Sequence, residues 1–312
     1  MLECHHRLHA VPVSTSAGDR DADTAVAHPR WHSAPESRSI TVGEVTATYI
    51  SDGTVQISPS ALLPDSPPAF WEQNTHLLDA DGYLVIGAGG LLVQGSGWSL
   101  LIDTGLGPLD NVPSLDGLGT VTGGALVSSL ARHGVTPAEL SAVAITHLHA
   151  DHVGWWANGA DAAGRGPFAD LPAYIGAEGW EHGRNTADPT LTPVITALAD
   201  NVRPVADGTT IAPGVSVLHT PGHTAEHTSY VIESGGETLI AFGDAFHSAA
   251  QIAHPEWADG MDHDTRTARV TREALLSRLI RPDTYGFGVH FADVTFGRVI
   301  PVPDGFAWQP RA

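Results

Sequence analysis

The sequence predicts a layered α/β domain, and three observations lead there. Short runs of β-branched and apolar residues, bounded by glycine and proline, recur along the chain and read as strands. Segments with helical spacing of apolar residues fall between them. Neither an internal repeat nor an evident linker divides the 312 residues, and their 42% hydrophobic content can bury a sizeable core.

Residues 1–36 are rich in Ser, Ala, Asp, Arg and Pro and lack an apolar period. They are expected to form a disordered or loosely attached leader, leaving 37–312 as one domain. The alternating stretch SITVGEVTATYISDGTVQI opens the strands. Residues 59–78 hold four prolines and read as a long loop, a candidate cover for a site or a homodimer contact through Phe70 and Trp71. YLVIGAGGLLVQGSGWSLLIDTG gives two or three further strands separated by glycine turns. GGALVSSLARHG (123–134) fits an amphipathic helix closed by glycine. AVAIT (142–146) is a short apolar strand, and 173–183 reads as a strand followed by a short helix. Strands follow at 215–219, 228–234 and 238–244. The clearest helix is TRTARVTREALLSRLI (265–280), and YGFGVHF (285–291) is expected to be the final strand.

Charge and composition exclude several functions. Thirty-five acidic residues against 15 basic ones give a net charge of −20, which disfavours nucleic acid and anionic membranes as partners and leaves a small neutral substrate open. All the basic residues are arginine, so lysine-based catalysis is absent. A single cysteine, Cys4, rules out an intramolecular disulfide and cysteine-cluster metal sites. No apolar run suits a transmembrane helix or a secretory h-region, so a cytoplasmic protein is expected.

The 18 histidines carry the chemistry. Those in the leader (His5, His6, His9, His28, His32) carry little weight. The strongest signal is Thr146-His147-Leu148-His149-Ala150-Asp151-His152, four potential ligands in six positions directly after an apolar strand. A loop there can aim His147 and His149 at one metal and Asp151 and His152 at another. Buried without a partner, so dense a polar cluster would strand its hydrogen-bonding atoms.

HLHADH has the form of the HxHxDH signature, and the chain resembles the metallo-β-lactamase-fold hydrolases. Leu101-Ile102-Asp103-Thr104-Gly105, Thr220-Pro221-Gly222-His223-Thr224, Gly243-Asp244 and Gly288-Val289-His290 resemble the family's other motifs, in the family's order. The resemblance implies an αββα four-layer sandwich with a dinuclear metal centre at one edge of the two sheets. It implies His147, His149 and His223 on one metal, Asp151, His152 and His290 on the other, and Asp244 bridging. Zinc is the expected ion; manganese, cobalt or iron suit the same ligands. Asp103 is read as a support that holds a histidine tautomer or the ligand loop. The context of Gly222, which permits close backbone approach, favours His223 over His219 as ligand. His227, His254 and His263 are read as surface or hydrogen-bonded residues, and His76 as a distant candidate for the pocket.

A hydroxide bridging two cations would be the nucleophile, which makes hydrolysis the expected reaction, with Asp151 or Asp244 available to relay a proton. The segment around Gly243–Ser248 looks most like the branch containing methyl-parathion hydrolase and related lactonases and esterases. In the family's acyl-homoserine lactonases a tyrosine lies three residues after the bridging aspartate; here that position is His247, a candidate catalytic or pocket residue. Trp155, Trp156, Phe246 and Phe291 flank the motifs and are candidate pocket aromatics. The expected substrate is a neutral, partly apolar lactone or carboxylic or aryl ester. The alternatives are a phosphotriester and a glyoxalase II-type thioester; the latter ranks lower because no basic helical domain follows His290 to hold a glutathione anion.

Overall fold

The computed structural model describes residues 29–109, 116–161, 165–186 and 188–311. Fifteen strands are present among them. They are β1 (Ser39–Val42), β2 (Val45–Ile57), β3 (Leu84–Gly95), β4 (Trp98–Ile102), β5 (Leu118–Thr122), β6 (Ala142–Ile145), β7 (Ala173–Gly176), β8 (Val202–Val205), β9 (Thr210–Ala212), β10 (Val215–His219), β11 (Thr228–Ser234), β12 (Glu237–Ala241), β13 (Thr284–Phe287), β14 (Phe296–Val302) and β15 (Gly305–Pro310). The helices are α1 (Pro59–Leu62), α2 (Pro68–Gln73), α3 (Leu126–Arg132), α4 (Ala150–Ala157), α5 (Ala177–Asn185), α6 (Thr192–Leu198), α7 (Ala250–Ala253) and α8 (Thr265–Leu279).

One sheet runs β1-β2-β3-β4-β6-β7-β8, with β5 paired to β2; the other runs β15-β14-β13-β12-β11-β10-β9. Alternation along each strand explains the layering, because successive side chains leave opposite faces of a sheet. Leu100 and Ile102 point into the core between the sheets, while Leu101 points to the helices outside; Ala142 and Ala144 divide from Val143 and Ile145 in the same way. The inter-sheet core joins Tyr49, Leu91 and Ala144 to Tyr230, Leu239 and Phe287. The outer face of the first sheet is covered by Leu126, Leu130, Val153, Trp180 and Val194 from α3 to α6. The outer face of the second is covered by Ile252 of α7 and Leu275, Leu276 and Leu279 of α8. The architecture is the αββα sandwich.

Several expectations need correction. Residues 59–78 are not an open loop: they form α1, α2 and a 3-10 turn at Thr75–Leu77, and Leu63, Trp71 and Leu77 pack with Leu84, Ile86 and Trp257. Proline at the first or second helical position, which fixes φ without costing a hydrogen bond, starts both helices. The strand at 285–291 ends at Phe287, and the β14–β15 hairpin follows it. Residues 1–28 of the expected leader lie outside the described residues. Its remainder is attached, because Arg30 Nε donates to Asp293 Oδ2 at 2.9 Å and the Glu36 amide donates to Asp293 Oδ1 at 2.9 Å. No helix among the described residues is long and apolar enough to cross a membrane.

Candidate metal centre

Four motif segments leave the ends of β4, β6, β12 and β13, and a fifth joins β10 to β11, so all five meet at one edge of the sandwich. β4 pairs parallel with β6, and β12 with β13, so the loops after each pair emerge on the same side. The HxHxDH segment is not wholly a loop. His149 caps α4, which places Asp151 and His152 on its first turn. Gly222 takes φ +133°, and a Cβ there would lie 2.2 Å from the backbone of Ala268, so only glycine lets the His223 loop lie on α8.

The seven expected ligands converge. One group contains His147, His149, His223 and Asp244, and a second contains Asp151, His152, Asp244 and His290; a third, smaller cluster of His223, His247 and Asp259 holds none of the other ligands. Asp244 belongs to the first two because its oxygens face opposite ways. Its Oδ2 lies 3.5 Å from His147 Nε2 and 3.3 Å from His223 Nε2, while its Oδ1 lies 3.1 Å from His152 Nε2 and 3.0 Å from His290 Nε2. Asp151 Oδ2 closes the second group at 3.7 Å from His152 and 3.6 Å from His290. Tetrahedral bonds of about 2.0–2.1 Å place neighbouring ligand atoms about 3.3 Å apart, and these separations bracket that value. His147 Nε2, His152 Nε2 and Asp244 Oδ1 are buried and make no directed hydrogen bond, which hydrogen-bonded packing alone does not explain. The residues present therefore fit two divalent ions.

Electrostatics divide the donor set: although burial opposes it, Asp244 and neighbouring carboxylates push His152, His223 and His290 up, whereas His147 and His149 are pushed down. Burial opposes charge on Asp244, but His152, His290, His247 and His147 hold its carboxyl well below the usual range. Burial, with His152 beside it, pushes the His147 imidazole well down, towards the neutral form that metals require. His149 is driven down to about 4 by burial and by the neighbouring His223.

The supporting contacts are specific. Asp103 sits at φ +62°, a backbone region that aspartate visits more readily than most residues. Its Oδ1 accepts from the Thr146 amide and its Oδ2 accepts from His152 Nδ1, both at 2.8 Å. His290 Nδ1 donates to the Gly87 carbonyl at 2.7 Å. His227, one of the histidines read as surface or hydrogen-bonded, is buried beneath the site: its Nε2 accepts from the Asp244 amide at 3.0 Å, and burial holds it at about 3, hence neutral. Sequence reasoning missed its place under Asp244. The signal was present in its spacing, four residues after His223.

His247 lies at the centre. Its Nε2 is 3.2 Å from Asp244 Oδ2, and its ring stacks on His290 at 5.4 Å. His219 is away from the site, half-exposed and 4.0 Å from Glu178. His76 is also away from it and uses its carbonyl to bind His32 Nδ1.

The candidate pocket aromatics are corrected. A cavity of about 390 Å³ opens beside His149 and His223, walled by Leu148, Val153, Leu191 and Val194, and none of the four aromatics lines it. Trp155 donates to Asp52 Oδ1, Trp156 packs on Phe168, and Phe246 and Phe291 pack on Phe242. Trp155 and Trp156 on α4, and Phe246 and Phe291 in the segments after β12 and β13, pack with the outer cores of the two sheets. Phe291 reaches only a hollow of about 20 Å³ behind His247 and His290. Residues 59–78 do not line the cavity beside His149 and His223 either.

Comparison with known proteins gives a consistent result. Residues 90–284 match the metallo-beta-lactamase superfamily profile. An N-acyl homoserine lactonase of Bacillus sp is 27% identical over 149 residues, 47% of this chain and 55% of that protein, so the match spans about half the length of that relative. Among solved structures, AidC, a dizinc quorum-quenching lactonase in complex with a product, superposes with TM-score 0.76 at 22% identity, covering 88% of this chain and 97% of its own. The hydrolase AbOPH superposes with TM-score 0.75 at 22% identity, covering 89% and 98%. The profile match extends across most of the domain and takes in His147, His149, Asp151, His152, His223 and Asp244, and on that basis this chain belongs to the metallo-beta-lactamase superfamily.

Proposed function

We propose that this protein is a dinuclear metal-dependent lactonase that hydrolyses a neutral, partly apolar lactone, an N-acyl homoserine lactone first among them, with zinc as its metal. The observation that carries the reading is the division of Asp244 between two ligand groups beside an apolar-walled cavity. Curated relatives named N-acyl homoserine lactonase support the substrate class.

When bound, two divalent ions lower the pKa of water and polarise a carbonyl oxygen. The chain's own residues do the rest. Leu148, Val153, Leu191 and Val194 offer an apolar wall for an acyl chain, with Asn158, Thr190 and His263 at polar positions in the same cavity. Asp151 is the more exposed of the two ligand carboxylates: its side chain is 27% exposed against 3% for Asp244. It is placed to carry a proton to the alkoxide released when the acyl C–O bond breaks. His247 presents Nε2 beside Asp244, where it can hydrogen-bond a substrate oxygen. A glutathione thioester fits less well, because the cavity lining includes Asp188 and Glu226 and, among the described residues, no arginine to meet an anion.

The test is a substrate profile of lactones, aryl esters, phosphotriesters and acyl thioesters, with metal quantified on the same sample. The expected result is two ions per chain and the highest kcat/KM on lactones, with loss of turnover on chelation and its recovery with zinc. Preference for thioesters or phosphotriesters would sink the substrate assignment. Full activity without metal would sink the centre itself.

A further inference from the structure

Three of the ligand histidines have the far nitrogen engaged at short range: His147 Nδ1 with Thr146 Oγ1 at 3.0 Å, His152 Nδ1 with Asp103, and His290 Nδ1 with the Gly87 carbonyl. His223 differs. Its Nδ1 is buried without a hydrogen bond, and it faces Asp262 Oδ1 at 3.5 Å and Asp259 Oδ1 at 3.9 Å. Asp262 Oδ1 and Asp259 Oδ2 are themselves buried and unmatched, and Asp259 Oδ2 lies 3.5 Å from the unmatched His247 Nδ1. Two imidazoles and two carboxylates thus converge on one buried spot behind the centre.

Both carboxylates have fully buried side chains. Such a placement is costly unless charge is matched. For Asp262 the match comes from α8: Arg272, 1% exposed, sends Nη1 to Asp262 Oδ2 at 3.1 Å and Nε to the Pro255 carbonyl at 2.8 Å. The Asp259 amide donates to the same Asp262 Oδ2 at 3.0 Å. That leaves Asp262 Oδ1 free to face His223. The backbone keeps the loops in step, since the His263 amide donates to the His223 carbonyl at 3.0 Å and the Asp264 amide to the Gly222 carbonyl at 2.9 Å. Arg272 lies one helical turn after Ala268, the residue on which Gly222 rests.

We propose that Asp262, held by Arg272, is the positioning residue for His223: it fixes the imidazole with its proton on Nδ1 and leaves Nε2 free as a donor atom. Asp259 does the same for the ring of His247. Each ligand histidine of the first group that uses Nε2 is then supported from behind, as a metal-bound imidazole requires. Helix α8, which contributes no ligand, determines the geometry of one.

This inference rests on the two-ion reading, and the experiment separates them. Zinc affinity is measured by chelator competition on the full zinc-loaded protein and on Asp262→Asn, which keeps the side-chain shape. The wild type should bind two equivalents. In the variant one equivalent should weaken by about 10–100-fold while the other, held by Asp151, His152 and His290, is unchanged. Equal weakening of both, or of neither, overturns the role of Asp262. Fewer than two equivalents in the wild type overturns both readings. Should the variant not fold, proton–nitrogen spectra of the histidine-labelled wild-type zinc protein decide the matter. The His223 Nδ1 proton should be present and slow to exchange with solvent, and rapid exchange overturns the proposal.

Discussion

Asp244 Oδ1 stands 3.0 Å from His290 Nε2, on the opposite side of the carboxylate from the imidazoles gathered at Oδ2. The pair closes the second ligand group across the two parallel strands β12 and β13, so a single carboxylate couples the two halves of the centre. Asp244→Ala should lower bound zinc below two equivalents and reduce kcat/KM by more than the roughly 10–100-fold typical of losing a supporting residue. Elemental analysis beside lactone turnover checks this. A metal-free, fully active variant would refute the bridging role.

Asp103 acts on His152 through a 2.8 Å hydrogen bond and does not line the cavity beside His149 and His223. Asp103→Asn keeps the shape but presents an amide where the imidazole N–H needs an acceptor. Zinc affinity of the second group should fall about 10–100-fold, with the first group retained. Isothermal titration resolves the two steps, and an unchanged profile would show that His152 holds its orientation without Asp103.

His247 touches Asp244 and the His290 ring, lies outside the two groups that share Asp244, and clusters instead with His223 and Asp259. His247→Ala should leave two zinc ions bound and lower kcat by about 10–100-fold, in the range of a lost hydrogen-bond donor or general acid. Loss of metal on the same scale would place it among the ligands instead.

The His290 loop is clamped from the N-terminal side. Burial would raise the Asp293 carboxyl, yet hydrogen bonds from Arg38, the Glu36 amide and Arg30 hold it below its ordinary value. A carboxyl with a depressed folded pKa contributes full stability above its unfolded value, about 3.9, and loses that contribution as pH falls through the folded value. Asp293→Asn should therefore be less stable than wild type by about 1.5–3 kcal/mol at neutral pH, and the gap should close below about pH 4. Urea unfolding across pH measures it. A gap that persists in acid would mean that shape, not charge, makes the clamp.

Leu191 lines the cavity away from the ligands. Leu191→Trp should shorten it and cut kcat/KM for a decanoyl relative to a butanoyl homoserine lactone by roughly tenfold, with zinc content unchanged. An unaltered ratio would put the acyl chain elsewhere.

The candidate ligands were legible because metal chemistry is local. HLHADH follows an apolar strand, and glycine beside His223, Asp244 and His290 marks sharp turns at strand ends. The strands themselves were legible from β-branched runs, and α8 from its spacing; its cap, Asp264, whose side chain accepts from the Arg266 and Thr267 amides, was not singled out. The helix within the signature was not, because His149 as cap and Asp151 in the first turn resemble a polar loop. Residues 59–78 were read as a loop because their prolines sit where helices begin as readily as where chains turn.

By itself, then, the sequence singled out the candidate ligand side chains and an α/β frame for them, since residue type and periodicity are properties of short segments. The tertiary structure alone decided which atoms meet. An apolar ring beside a motif suits a core and a pocket equally, so residue type cannot say which it faces; Trp155, Trp156, Phe246 and Phe291 pack with the cores. His227 beneath Asp244, and Asp262 and Arg272 behind His223, depend on contacts between segments distant in the chain, which only the packing of the second sheet against α8 brings within reach.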